Sequence, residues 1–234
     1  VPPGTYSASV SRGIEYDAYS AQNVSVGDNQ TAGLSATLTR VVDTSGWISL
    51  DPHLHSEMSV DSVIPLDTRL RSVAAEGVEV AVSSDHDFVV DYNDVIADLG
   101  LAAHLATIVG NESSSLQIGH INAWPLSVAP ALPGGGAVRW AGHDPGEVFD
   151  LLRGGDATRI VQVNHPRDGS LGLFALIDLD PETLTARADP AALGLPGADL
   201  NDFGFDAIEV ANTKTAGLFE PAFADWLAFL AAGY

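Results

Sequence analysis

The rhythm of apolar and polar positions changes once along this chain. Over residues 1–46 it has period two: Leu34, Ala36 and Leu38 alternate with Ser35, Thr37 and Thr39, the pattern of a half-buried strand. Residues 5–10 and 23–26 read as two further short strands, separated by turn-like segments at Gly13 and Gly27-Asp28-Asn29-Gln30. From Trp47 onward the pattern becomes strand, polar loop, helix, and repeats. Leu66, Leu70, Val73 and Ala74 form one helical face, with Pro65 in the first turn and Gly77 just past the end. Residues 78–82 are a continuous apolar strand running into Ser83-Ser84-Asp85-His86-Asp87. A helix over 91–99 follows, then strands over 105–109 and 118–124. The segment 127–146, with Pro133-Gly134-Gly135-Gly136, reads as a long loop, either a lid or an insertion. A helix over 147–153, strands over 159–163 and 205–210, and an apolar helix from Leu218 complete the series.

Strands alternating with helices, and polar clusters recurring where strands end, predict an α/β fold. The layout is that of a parallel barrel whose site lies at the C-terminal ends of its strands. The expected division is the end of a β-sandwich module over 1–46 and a single larger domain over 47–234.

Composition narrows the chemistry. Ten Lys and Arg against 31 Asp and Glu give a formal charge of -21. Such a surface repels nucleic acid and anionic membrane, so neither is an expected partner, and a small-molecule substrate is. Cysteine is absent, so any metal must be held by His, Asp, Glu or water. That absence does not decide the compartment; a secreted or periplasmic setting is expected rather than the cytoplasm. No signal peptide and no apolar run long enough to span a bilayer is seen. Both ends look cut, since the chain starts at Val1 and stops at Tyr234 just where a strand should follow a helix. Oligomeric state is not readable.

The candidate chemistry centres on Asp51-Pro52-His53-Leu54-His55. Residues two apart on a strand face the same way, so His53 and His55 can present two imidazoles to one ion. A His-x-His pair alone is common without a metal. Here, however, His86, Glu112, His120 and His165 stand at other strand ends, with Asp61 in the loop after His55. All offer nitrogen or hard oxygen, and a carboxylate such as Glu112 can bridge two ions. Two ions together bind a hydroxide nucleophile and the leaving oxygen. No G-x-S-x-G motif and no phosphate loop compete with this reading. His104 and His143 read as bystanders. Asp51, Asp85 and Asn122 are candidates for orienting ligands. Glu209 and Asn212 read equally as pocket wall or as strand-end hydrogen bonding. Arg167 and Lys214 are the few cations near the expected site.

Asp51-x-His53-x-His55, Ser84-Asp85-His86-Asp87, Gly110-Asn111-Glu112, Gly119-His120-Ile121-Asn122 and Asn164-His165-Pro166 together resemble the ordered motifs of the PHP (polymerase and histidinol phosphatase) superfamily. The spacing from Glu112 to His120 is most similar to its CehA/McbA-like metallohydrolase branch. The resemblance implies a distorted (β/α)7 barrel holding two or three divalent ions of zinc, manganese or iron. It places His53, His55 and Glu112 at the first, Glu112 and His165 at the second with His120 as a further ligand, and Asp61 and His86 at the third. The closing Asp-x-His motif of that pattern is not in this sequence, so the chain is expected to be a fragment. The implied activity is hydrolysis of an ester, carbamate or amide by metal-bound hydroxide. A phosphoesterase of the same superfamily and a non-catalytic, metal-stabilised binding module are the alternatives.

Overall fold

The computed structural model describes residues 1–212 and 216–234. The chain divides into two compact units. One comprises residues 1–51, 66–81 and 93–106, the other residues 52–65, 82–92 and 107–234. The architecture is mixed α/β, with sheets of two, two, three and four strands.

In the first unit β1 (Gly4–Val10) and β2 (Tyr19–Val26) form an antiparallel hairpin, with a register shift between Tyr6 and Ala8. Residues 34–39, read above as a strand from their alternation, are not one. Leu34 is exposed, and pairing in this region is limited to an isolated bridge between Tyr16 and Arg40. Alternation without a neighbouring apolar surface to cover has nothing to drive it into a sheet. Helices α1 (Leu66–Ala75) and α2 (Asn93–Asp98) pack together. Leu66, Leu70, Val73 and Ala74 are the buried face of α1, and Gly77 beyond it adopts a left-handed φ of 79°.

The strands β3 (Leu50–Leu54), β4 (Val80–Ser83) and β5 (Ala106–Val109) form the three-stranded sheet in that order. The four-stranded sheet lies within the second unit. It contains β6 (Asn111–Ser115), β7 (Gly119–Trp124), β8 (Ile160–Val163) and the two-residue β11 (Ala207–Ile208), in the order β11-β8-β7-β6. Here the structure departs from a uniformly parallel arrangement. β7 is antiparallel to both β6 and β8, while β11 is parallel to β8. The turn between Ser115 and Gly119 is too short for the crossover that a parallel pair needs. The strand read over 205–210 shrinks to Ala207–Ile208. Between β8 and β11 lie the single-turn helix α4 (Leu173–Leu176) and a small hairpin of β9 (Leu179–Asp180) and β10 (Thr185–Ala186).

The four-stranded sheet sorts its side chains by the period-two rule. Ile121, Ala123, Val161 and Val163 enter a core built with Val148, Phe149 and Leu152 of α3 (Pro145–Arg153) and with Phe174, Phe203 and Phe229. α3 is fixed at its start by an Asp144–Glu147 capping box and at its end by left-handed Gly154. The intervening residues, His120, Asn122, Gln162 and Asn164, are equally buried although polar. Polar groups taken out of water on a whole strand face are costly unless they partner one another, so this second face is where a site can be built. The chain ends in α5 (Ala216–Ala232). Among the described residues no helix is long and apolar enough to cross a membrane.

Candidate metal centre

Five of the seven histidines surround one buried carboxylate, that of Glu112. His53 Nε2 lies 3.2 Å from Oε1 and His55 Nε2 3.5 Å from Oε2. His86 Nδ1 is 2.7 Å from Oε2, His120 Nδ1 3.3 Å from Oε1 and His165 Nε2 3.6 Å from Oε1. Glu112 itself is fully buried. The strand directions explain the convergence. β7 runs antiparallel to β8, so His120 near its start meets the end of β8, where Asn164 N–H donates to the His120 carbonyl at 3.1 Å. Glu112 comes alongside His86 through a parallel bridge. Gly119 allows the close approach: with φ at 81°, a Cβ there would sit 2.5 Å from Leu173 N and 2.6 Å from the Leu171 carbonyl. His165 holds a φ of 27°, a conformation unusual for a residue with a side chain.

Hydrogen bonds fix how the imidazoles point. His53 Nδ1 faces Glu209 Oε1 at 3.0 Å, which turns Nε2 toward Glu112. The other Glu209 oxygen accepts the His165 backbone N–H at 2.8 Å, and Asn212 donates to Glu209 at 2.9 Å. Both of these residues, read as either wall or strand-end groups, thus sit directly behind His53. Asp85 is fully buried and accepts from Ser56 N–H, the Ser56 hydroxyl, the Ser59 hydroxyl and the Tyr92 hydroxyl. Ser59 in turn receives His55 Nδ1 at 2.9 Å and the His86 N–H at 3.0 Å. Since the Ser59 proton goes to Asp85, His55 carries its proton on Nδ1 and turns a lone pair on Nε2 inward. Asn122 donates to the Pro52 carbonyl and accepts from Asn164, which also donates to Glu112 Oε1 at 2.7 Å.

Three residues that pattern reasoning passed over complete the framework: Ser59, Ser114 and Asn164. Ser114 shares the Glu112 face of β6 and its hydroxyl is 2.6 Å from His86 Nδ1. Asn164 had a visible signal, a polar residue between the end of β8 and His165. Asp61 is mostly exposed, with Oδ2 3.4 Å from His86 Nε2. Asp51 belongs to the other compact unit. His143 pairs with exposed Glu147 beside the α3 cap, and His104 lies in the first unit. Arg167 is not available as a clamp for an anionic substrate. Nε and Nη2 donate to the two Asp225 oxygens at 2.6 Å each, and the remaining contacts go to the Phe174 and Leu179 carbonyls. Lys214 lies outside the described residues.

The donor set fits divalent cations. A carboxylate offers about four lone-pair sites, and five imidazoles with one amide crowd this one. Glu112 Oε2, His120 Nδ1 and His165 Nδ1 are buried without a hydrogen bond of acceptable geometry. His53 Nε2 and His55 Nε2 face each other at 3.0 Å; two inward lone pairs at that distance need a proton or a metal ion between them. Among the described residues, three sets bring their donor atoms within 4.8 Å of one another: His53, His55 and Glu112; His55, Asp61 and His86; and His86, Glu112 and His120. The sets share members, as a multinuclear site would. They group His86 with Glu112 and His120, and leave His165 close to the carboxylate but outside all three.

Electrostatics sharpen this. Burial opposes a charged His53, but the carboxylates of Glu112 and Glu209 outweigh it and push the imidazole up to about 10. Burial, with the charges of His53 and His86 acting against the pull of Glu112, pushes His55 down to about 4. Glu112 would be raised by its burial, yet the surrounding imidazoles hold it well below the usual carboxylate range. One proton on His53 therefore takes the place of a cation between the two facing nitrogens. The residues enclose a cavity of about 290 Å³, lined also by Asp168 and Leu171.

Comparison with protein-family models and with curated proteins finds no match. Among solved structures, the chain is similar to a two-domain protein from Bacteroides vulgatus described as containing a predicted PHP-like metal-dependent phosphoesterase. The identity is 20% and the TM-score 0.39, over 62% of this chain; the chain spans 40% of that protein's length.

Proposed function

We propose that this protein is a metal-dependent hydrolase of the PHP superfamily, in its CehA/McbA-like branch, and that it cleaves an uncharged ester, carbamate or amide. The observation that carries the reading is the convergence of His53, His55, His86, His120 and His165 on buried Glu112. Those residues, with Asp61, are the ones that would hold two or three ions of zinc, manganese or iron. Bound there, such ions supply Lewis acidity and a water acidified to near neutral pH. The protein's own part is to aim its donors. Glu209 holds the His53 ring by Nδ1, Ser59 and Asp85 hold His55, and Asn122 and Asn164 fix Glu112. Orienting partners of this kind typically govern metal affinity by about ten- to a hundredfold.

The test is elemental analysis of the purified protein, followed by zinc, manganese and iron reconstitution and a screen of aryl esters, carbamates, amides and phosphoesters. Metal with ester or carbamate turnover is the expected result. Turnover confined to phosphoesters would shift the substrate class, and firmly bound metal with no turnover would make the domain a metal-stabilised binding module. Absence of stoichiometric metal after reconstitution would end the reading.

A further inference from the structure

A second cavity of about 390 Å³ adjoins the imidazole cavity, with which it shares His165, Asp168 and Asn212. Its remaining wall is largely apolar, from Pro166, Val210, Leu218 and Ala222. Among the described residues lining either cavity, Arg167 is the only Lys or Arg. Its guanidinium is turned away by Asp225, which is itself buried on α5 and takes two parallel hydrogen bonds at 2.6 Å. Two carbonyls, of Phe174 and Leu179, hold the same guanidinium from the other side. A bidentate pair of this geometry is the strongest kind available to arginine. Among the described residues, the cavity is left with the carboxylates of Asp168 and Glu209 on its wall and no lysine or arginine head group free to offset them.

We propose that this second cavity receives a compact, apolar, uncharged group of the substrate, and that Asp225 excludes anions from it by sequestering Arg167. The inference rests on the hydrolase reading for its biological sense, though not for its measurement. Discrimination of this kind works through what the site repels as much as what it attracts. Asp225 touches no substrate; it acts through Arg167 as a specificity-determining residue.

The experiment uses the metal-loaded full chain and ligand-observed NMR with two probes of one ring size. These are benzyl alcohol and benzenesulfonate, whose sulfonate is a poor ligand for divalent ions. Benzyl alcohol is expected to bind at least about tenfold more tightly, and Asp225→Asn to narrow the gap to less than about threefold, because the released Arg167 meets the sulfonate. Equal or tighter sulfonate binding by the wild type overturns the proposal, as does an unchanged gap in folded Asp225→Asn. Leu218→Trp leaves the ion pair intact and fills the cavity. It should abolish benzyl alcohol binding without changing metal content, and undiminished binding would equally overturn the proposal. Phenyl acetate turnover, followed alongside, separates the two readings. Ring discrimination without turnover sinks the hydrolase and keeps the pocket; turnover without discrimination does the reverse.

Discussion

Metal binding at the His53, His55 and Glu112 set should release one proton and strengthen with pH. His53 is pushed up to about 10 by Glu112 and Glu209, whereas His55 is pushed down to about 4. At neutral pH the metal-free set therefore carries one imidazole proton, on His53, and a metal can use that nitrogen only after the proton leaves. Below about pH 10 each unit of rising pH weakens the competition of the proton tenfold, so affinity climbs about tenfold per unit, worth about 1.4 kcal/mol. At about pH 7.5 the obstacle is roughly 2.5 units, or about 3 kcal/mol of lost binding. Chelator competition with manganese between about pH 6 and 8.5 should give a slope near one in log affinity. Calorimetry in buffers of differing ionisation enthalpy should count about one proton per ion at this set. Glu209→Gln removes one of the two carboxylates that hold the proton, so the pH at which the slope levels off should move down. An affinity that is flat across this range, with no proton released, would refute the assignment of His53 as a ligand.

The helices and the buried strands were legible because the cause of each is local. Leu66, Leu70, Val73 and Ala74 have an apolar face to bury, and Gly77 provides the left-handed exit. The metal-type residues were legible because their chemistry has few other reasons to recur at strand ends. Their grouping was not, because it depends on strand direction. The apolar run ending at Val109 and the one beginning at Ile118 read as successive strands either way, and the antiparallel turn of β7 brings His120 to Glu112 from the start of its strand rather than the end. Supporting residues were hidden for a related reason. Ser59 and Ser114 are ordinary loop and strand serines until tertiary contact puts them 2.9 and 2.6 Å from imidazole nitrogens. Arg167 shows the opposite failure: adjacency to His165 marked it as a cation near the expected site, but Asp225, 58 residues away, claims its donors. Where the alternation over residues 34–39 found no apolar partner, the pattern produced no strand at all.

Three further outcomes test the framework. Glu112→Gln takes the central charge from all five imidazoles, and breaking a buried charge arrangement costs about 3–5 kcal/mol. More than one metal equivalent should be lost by elemental analysis, and loss of a single equivalent with turnover intact would rule out bridging. Asp85→Asn removes the charge and replaces one of the two oxygens by an NH2 group, which in the place of Oδ2 turns amide hydrogens toward the Ser56 and Tyr92 hydroxyls, a mismatch worth about 2–4 kcal/mol. The metal-free melt should fall by roughly 5–12 °C, and a fall below about 2 °C would show that Asp85 is not the anchor of this loop. The last concerns Gly119, which must supply two things at once, a left-handed φ of 81° and room for the Leu171–Leu173 backbone. Gly155 has a similar φ of 77° but no atom within 4 Å of where a Cβ would stand. Alanine at Gly155 therefore meets the conformational cost alone, about 1 kcal/mol, while alanine at Gly119 adds a backbone collision that only a shift of β7 or the 171–173 segment can relieve. Gly119→Ala should melt about 4–8 °C below Gly155→Ala, a difference of about 2 kcal/mol. Because His120 follows directly and its N–H is held by the Leu171 carbonyl, the same shift should weaken metal binding in Gly119→Ala and leave it unchanged in Gly155→Ala. Equal melting and equal metal affinity would mean that the close approach at Gly119 does not position His120.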